Sequence, residues 1–242
     1  MPFLEVSMKK IRKAYNYFTP FERVLWAVSV ALIVDSYVVF GGNGLLTLIA
    51  SVTGVTSLVL NAKGNPLGQL LMVLFSIMYG YISYTFSYYG EMITYLGMTA
   101  PMAVTALVAW IRNPYNGNHA EVEINSITKK EVCFMLVLSA FVTLIFYYVL
   151  KSFGTSSLAL STLSVTTSFI AVYLTFRRSS WYAVAYAAND VVLVALWTIA
   201  SFENTGYVSV VICFVVFFVN DLYGFANWCR IRRKQQNSKF RS

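Results

Sequence analysis

Long apolar stretches restrict this chain to a membrane-embedded fold. A run of about 20 apolar residues spans the hydrocarbon of a bilayer, and eight such runs follow one another along the 242 residues. They are predicted at about 21–40, 45–62, 67–88, 92–111, 131–150, 156–176, 180–200 and 207–228. Only 12% of the residues are charged, about half the fraction found in soluble domains. We therefore expect an all-α polytopic membrane protein with eight transmembrane helices.

The segments between these runs are too short to form a separate catalytic domain. Apart from one loop near 112–130, they contain only a few residues each. The chain has no P-loop motif, no GxSxG motif and no Cys/His set with metal-ligand spacing. The sequence thus predicts no catalytic residues, no cofactor and no metal site. A membrane-embedded enzyme that uses Asp190 and Asp221 as an acid/base pair is a weaker alternative, because we expect these side chains on divergent helix faces.

Basic residues are concentrated on one predicted side of the membrane. They include KKIRK at 9–13, RIRR at 230–233, Lys63, Arg112, Lys129, Lys130, Arg177 and Arg178. The opposite loops are predicted to hold Lys151, Glu91 and Glu203. Because Lys and Arg mark the cytoplasmic side, both termini are predicted to be cytoplasmic. This topology explains the net charge of +8, so no nucleic-acid partner is expected.

Part of the sequence is repeated. SVTGVTSLVLNAKGNP in the second span aligns without gaps with SVTTSFIAVYLTFRRS in the sixth, so that Ser51 matches Ser164. The fourth span ends in WIR and the eighth in WCR. These matches predict two copies of a three-helix bundle, at 45–111 and 156–230.

The span between the two copies has a topological reason. Three helices are an odd number, so a second copy joined directly would be inverted, and the linker helix at 131–150 restores its direction. The prediction is therefore two parallel three-helix repeats in a single membrane domain, with an extra N-terminal helix at 21–40. Bundles of this type place their substrate between the halves near the midplane.

The seventh span, WYAVAYAANDVVLVALW, contains an amide and an acid at its midpoint. At about 100° per residue, one stripe of this helix holds Tyr182, Tyr186, Asn189, Asp190, Leu193 and Trp197. A charged side chain at the bilayer centre costs about 2.5 to 3.5 kcal/mol on insertion scales, so this stripe should face the bundle interior. Trp181 lies off the stripe at the cytoplasmic end, where an interfacial anchor is the alternative interpretation.

The eighth span repeats this pattern. Asn220, Tyr223, Gly224 and Asn227 share one face. Asp221 points about 100° away from Asn220, so we expect it to make a helix contact instead of facing the same cavity.

The first bundle contributes fewer candidates. Gln69 lies on an inward stripe of the third span, with Tyr79 at its edge. In the fourth span Pro101 should loosen the helix near Gly97, which makes this helix a candidate moving part.

These side chains predict the chemistry of a ligand. Amides and hydroxyls suit a ribose, and aromatic faces suit a flat ring. A ring with a positive charge would gain from cation–π contacts and from a nearby carboxylate. A small nucleoside-like molecule is therefore expected.

The stretch from Trp181 to Trp197, followed by NDLYGFANW at 220–228, resembles the PnuC family of bacterial vitamin transporters over essentially the whole chain. The resemblance implies facilitated diffusion (uniport) of nicotinamide riboside across the bacterial inner membrane for NAD biosynthesis, with a cytoplasmic kinase that phosphorylates the substrate. Thiamine or riboflavin as the substrate, and proton symport through Asp190, are alternatives. The sequence leaves open whether the chain forms a homo-oligomer.

Matching motif positions imply a set of ligand contacts: Asn189, Trp197, Asn220, Tyr223 and Asn227, with Asp190 and Trp181 as further candidates. Gln69 is predicted from its inward position alone. The first span departs from the smaller seven-span members of the family, and the role of its Asp35 is open.

Overall fold

The computed structural model describes residues 16–41, 44–155 and 157–239, and this part of the chain contains eight helices of 18 to 32 residues. They are α1 Pro20–Val39, α2 Leu45–Ala62, α3 Pro66–Thr85, α4 Tyr89–Ile111, α5 Lys129–Ser152, α6 Leu158–Phe176, α7 Tyr182–Ser201 and α8 Val208–Lys239. A short hairpin of β1 (Pro114–Tyr115) and β2 (Asn118–Val122) follows α4. The all-α architecture with eight helices is confirmed. The basic stretch at 9–13 lies outside the described residues.

Seven of these helices, α2 to α8, are long and apolar enough to cross a membrane. The remaining helix, α1, carries Glu22, Arg23 and Asp35 within its 20 residues. It nevertheless packs along α2 and α8, and its buried side chains include Ser29, Ile33 and Ser36.

Several helix ends differ from the predicted boundaries, and two of the differences bear on the site. α4 begins at Tyr89, three residues before the predicted start, so Glu91 lies within the helix and its side chain is fully buried. The prediction that Glu91 lies in an outer loop was wrong. Apolar length alone stops before the charged Glu91, whereas in the fold Gly90 packs closely at this end of α6, where a Cβ would meet the Thr155 Cγ2 at 2.8 Å and the Ser161 Oγ at 3.0 Å. At the other end of the chain, α8 continues to Lys239 instead of ending at 228.

The fourth helix is irregular where the sequence predicts it. A π-helical segment, Tyr95–Thr99, interrupts α4 immediately before Ala100 and Pro101. Proline lacks an N–H and its ring crowds the preceding turn, so the regular hydrogen-bond ladder cannot continue through this point. The prediction of a loosened helix near Gly97 is confirmed.

The helices pack in two groups that contact each other. α2 packs on α3 and α3 on α4, while α6 packs on α7 and α7 on α8. Contacts between α4 and α6 and between α8 and α2 join the groups. α5 packs on α6, and only 11% of its apolar span is buried, compared with 50% for α6. Most of α5 is therefore free to face lipid.

Two tryptophans join the groups at the end of the bundle that carries the hairpin. The Trp110 indole at the end of α4 donates to the Thr175 carbonyl oxygen near the end of α6, at 2.9 Å. The Trp228 indole on α8 donates to the Asn61 carbonyl oxygen near the end of α2, at 2.8 Å. The third helix of each group is thus tied to the first helix of the other.

The loop after α4 bonds to both groups at the same end. Gly64 and Arg178 lie in the turns after α2 and α6, with φ of 69° and 55°. The Val122 N–H donates to the Gly64 carbonyl at 2.9 Å, and the Asn125 N–H donates to the Arg178 carbonyl at 3.0 Å. Buried Gln235 of α8 also bonds this loop, accepting from the Ile124 N–H at 2.9 Å.

Candidate functional site

Aromatic residues from three helices and one loop meet in the half of the bundle opposite the hairpin. Trp197 of α7 donates its indole N–H to the Tyr79 hydroxyl on α3 at 2.6 Å. The Tyr79 ring lies 4.4 Å from that of Tyr95 on α4, and the Trp197 ring lies 4.7 Å from that of Tyr88. Burial and the nearby Glu203 raise the pKa of the Tyr88 phenol, so this ring stays neutral. We call these four residues the outer aromatic cluster.

A small cavity adjoins this cluster. It lies between α2, α3, α7 and α8, and its lining includes Ser51, Tyr79, Trp197 and Cys213. Its volume of about 10 Å³ is room for about one water molecule, whereas small-molecule sites measure about 300 Å³ or more. The helices are therefore closed around this point, and a nucleoside-sized ligand requires them to separate.

The midpoint amide of α7 binds the neighbouring helix. Asn189 is 2% exposed, and its Oδ1 accepts from the Thr167 hydroxyl at 2.8 Å and from the Ser168 hydroxyl at 3.0 Å. Both hydroxyls belong to α6. The predicted inward orientation of Asn189 is therefore present, and its oxygen is engaged in an interhelical contact.

The two aspartates lie next to each other. Asp190 and Asp221 are both buried, and their carboxyl groups are within hydrogen-bonding range of each other. The prediction that they occupy divergent faces was wrong. Asn220 turns toward α1, which directs the following residue, Asp221, toward α7. A carboxylate can only accept, so a hydrogen bond between these groups requires a proton on one of them.

Asn220 and Tyr223 of α8 face the first helix. The Asn220 amide donates to the Ser29 hydroxyl at 3.0 Å, and the Tyr223 hydroxyl donates to Glu22 Oε1 at 2.9 Å. Glu22 is 1% exposed and forms a 3.0 Å salt bridge with Lys63. Both predicted site residues are therefore held by α1 in this closed arrangement.

Gln69 and Asn227 contact the end of α2. Gln69 is 1% exposed and donates through Nε2 to Asn61 Oδ1 at 2.8 Å, while its own Oε1 has no hydrogen-bond partner. The Asn227 amide donates to the Ala62 carbonyl at 2.8 Å. These amides connect α3 and α8 to α2.

The remaining predicted residues lie toward the hairpin end. Tyr182 is buried, with its ring 4.7 Å from Trp228, and half-buried Tyr186 lies 6.2 Å from Tyr182. Trp181 is 52% exposed and packs against Phe225 at 5.2 Å. The predicted site residues are thus distributed along the length of the core, and only Tyr79 and Trp197 share the outer aromatic cluster.

Sequence reasoning missed three buried residues near these positions: Asn61, Glu91 and Tyr95. Asn61 lies within the predicted span 45–62, but its buried position in the last turn of α2 was not predicted. The start of α4 gave no signal, because Tyr88 at its N-cap makes no side-chain capping bond. Tyr95 lies within the predicted span 92–111, and its burial depends on how α4 packs on α3.

Comparison with known proteins identifies the family. Residues 44–230, most of the chain, match the family described as "Nicotinamide mononucleotide transporter". The chain belongs to this family. The resemblance to the PnuC transporters is confirmed, and the molecule is a multi-span membrane protein of a bacterial transporter family.

Individual members of the family match nearly the full length. The chain is 26% identical over 228 residues to "Nicotinamide riboside transporter PnuC" of Neisseria mucosa, covering 92% of this chain and 86% of that one. It is 24% identical over 216 residues to the protein of the same name from Haemophilus influenzae, covering 89% and 92%. These relatives are named as transporters and not as enzymes.

The fold also matches a solved structure. "Crystal structure of the Vitamin B3 transporter PnuC" aligns with a TM-score of 0.78 at 24% identity, covering 90% of this chain and 94% of that one. The two proteins therefore share a fold over nearly the whole length of this chain.

Proposed function

We propose that this protein carries nicotinamide riboside across the membrane into the cytoplasm. The observation that supports this most strongly is the near-full-length similarity to two proteins named nicotinamide riboside transporters. Nicotinamide riboside consists of a ribose and a cationic pyridinium ring. The buried amides and the outer aromatic cluster offer the corresponding chemistry, because amides bind hydroxyls and aromatic faces attract cationic rings.

The transport cycle is proposed to be alternating access between two three-helix halves, α2–α4 and α6–α8, with α5 as the linker. The reciprocal bonds of Trp110 and Trp228, and the similar turns at Gly64 and Arg178, support this division. Separation of the halves would open the closed cavity beside the outer aromatic cluster. The π-helical segment Tyr95–Thr99 is the proposed point of bending, since helices kink at π-bulges and these are frequent at functional sites.

The proposed setting is the bacterial inner membrane, with both termini in the cytoplasm. The basic turns at Lys63 and at Arg177 lie at the same end of the bundle as the hairpin, which agrees with a cytoplasmic location. Transport down a gradient needs no coupling ion if a cytoplasmic kinase phosphorylates the arriving nucleoside. The product would then enter NAD biosynthesis.

The identity of the substrate is tested by measuring uptake into proteoliposomes. Purified protein in sealed vesicles is given nicotinamide riboside, thiamine or riboflavin in parallel, with empty vesicles as the control. We expect saturable uptake of nicotinamide riboside that equilibrates without an imposed gradient. Uptake of thiamine or riboflavin in its place would reassign the substrate within the vitamin group.

One observation favours a proton-coupled symporter as the second candidate. The Asp190–Asp221 pair is a buried group that can hold a proton near mid-membrane. The same vesicles distinguish the two mechanisms, because an imposed pH gradient should leave the final level of uptake unchanged for a uniporter. Accumulation above equilibrium, driven by the pH gradient, would establish symport and contradict uniport.

A further inference from the structure

Glu91 is a fully buried acid without a cationic partner among the described residues. Its Oε1 has no hydrogen-bond partner, and its Oε2 accepts from the Ser164 hydroxyl at 3.5 Å, the outer limit for such a bond. The salt bridges formed within the described ranges are those of Glu22, Glu131 and Glu123. A negative charge is unfavourable in this position, so the acid holds a proton until a cation comes close enough to pair with it.

Local structure accounts for this acid only in part, because its place in the first turn of α4 favours a negative charge but supplies no cation to pair with it. The contact between α4 and α6 at this level is already made by Gly90 against Ser161, and Ser164 needs no acid as its partner because a serine can bond a backbone carbonyl within its own helix. Glu91 also forms none of the capping bonds at the start of α4. The other acids of the membrane core, Asp190 and Asp221, have each other as partners.

The surroundings of Glu91 suit a cationic ring. Tyr79 and Tyr95 lie close enough for their phenols to interact electrostatically with its carboxyl group. Both belong to the outer aromatic cluster, whose ring faces attract cations. Glu91 belongs to α4 in one proposed half and contacts Ser164 on α6 in the other half. Separation of the halves would therefore admit a ligand at this contact.

We propose that Glu91 is the anionic group that recognises the positive charge of the substrate, and that it makes the protein select the cationic nicotinamide riboside over the neutral, reduced dihydro form. This inference rests on the proposed function, because it takes nicotinamide riboside as the ligand. The two forms have nearly the same size and the same ribose. Their difference in affinity therefore isolates the contribution of the charge.

The test compares the two ligands in the wild type and in Glu91→Gln, by calorimetry on protein in lipid nanodiscs. The wild type should bind the cationic form more tightly. Glu91→Gln should lose about tenfold or more in affinity for the cation, as expected for loss of a charged partner, with little change for the neutral form. Ser164→Ala is the matched control, because it removes the contact of Glu91 without changing charge, and its preference for the cation should be unchanged.

Three outcomes would overturn the inference. Equal losses for both ligands would assign Glu91 a structural role, and unchanged affinities would place it outside the site. If Glu91→Gln fails to fold, Glu91→Asp is measured in its place. This variant keeps the charge, so it should keep the preference for the cation. Loss of that preference would contradict the inference. If the wild type binds neither form, the proposed function itself is contradicted. This result differs from the three above, in which the wild type binds and only the role of Glu91 fails.

Discussion

At the residue scale, the polar side chains of the core hold helices together in the closed arrangement. Asn189 binds α6, Asn220 binds α1 and Asn227 binds α2. A ligand that enters between the halves must therefore replace interhelical hydrogen bonds with its own. Because a buried polar group left without a partner costs about 1 to 3 kcal/mol, the helices should remain closed until a ligand with matching hydroxyls and amides arrives.

Trp197 and Trp181 provide a matched pair of substitutions. Trp197 is fully buried and bonds Tyr79, whereas Trp181 is 52% exposed at the end of α7. Trp197→Ala should lower the free energy of unfolding by about 3 to 5 kcal/mol, as for other buried tryptophans, and should weaken nicotinamide riboside binding. Trp181→Ala should change stability by about 0.5 kcal/mol or less. Thermal unfolding and calorimetry measure both effects, and a larger loss of binding in Trp181→Ala would place the ligand at the hairpin end instead.

The sequence predicts which face of a helix is buried but not which residue lies opposite. The period of 3.6 correctly placed Tyr182, Asn189, Asp190 and Trp197 in the interior. It says nothing about the rotation of one helix against the next, so the contact between Asp190 and Asp221 was missed. Their adjacency depends on how α7 and α8 pack, which is a property of the folded bundle.

At the element scale, apolar length predicted all eight helices, while their ends were set by local contacts. Pro66 after Asn65, and the capping box of Thr128 with Glu131, mark the starts of α3 and α5 in the sequence. The start of α4 has no such signal, since its N-cap residue Tyr88 makes no side-chain capping bond. Its irregular segment was predictable, because the local chemistry of Pro101 causes it.

Close packing of α3 on α2 depends on one glycine. A Cβ on Gly68 would lie 2.7 Å from the backbone nitrogen of Asn61, and a backbone atom cannot move aside cheaply. Gly68→Ala should therefore lower the unfolding free energy by about 1 to 3 kcal/mol, seen as a lower melting temperature in detergent. Gly97→Ala is the matched control, because a Cβ there meets nothing within 4 Å. Equal melting temperatures for the two variants would contradict the tight α2–α3 contact.

At the scale of the whole molecule, α1 lies outside the family match at 44–230 yet is joined to both helix groups. Glu22 receives a hydrogen bond from Tyr223 of α8 and pairs with Lys63 after α2. The gapless sequence alignment could not reveal this helix's role, since α1 has no counterpart in the repeat. That alignment also paired Gly64 with Arg177, whereas the similar left-handed turn residue is Arg178, one residue later.

A double-mutant cycle measures this connection. Glu22→Gln and Lys63→Gln should each destabilise the protein by about 1 to 3 kcal/mol, because each leaves a largely buried polar partner uncompensated. The loss of unfolding free energy in the double variant should be clearly smaller than the sum of the losses in the two single variants, since the two charges interact with each other. Additive losses, measured by thermal unfolding at matched detergent and salt, would show that α1 is held by its apolar contacts instead.

The loop after α4 has a mechanical consequence. Through Val122 and Asn125 it holds the turns of both helix groups, and through Gln235 it also holds the long tail of α8. The rotation that opens the outer side therefore has its pivot beside this loop. Displacement then grows with distance from the pivot, so the widest gap should form at the far surface, beside the rings of Tyr88 and Trp197.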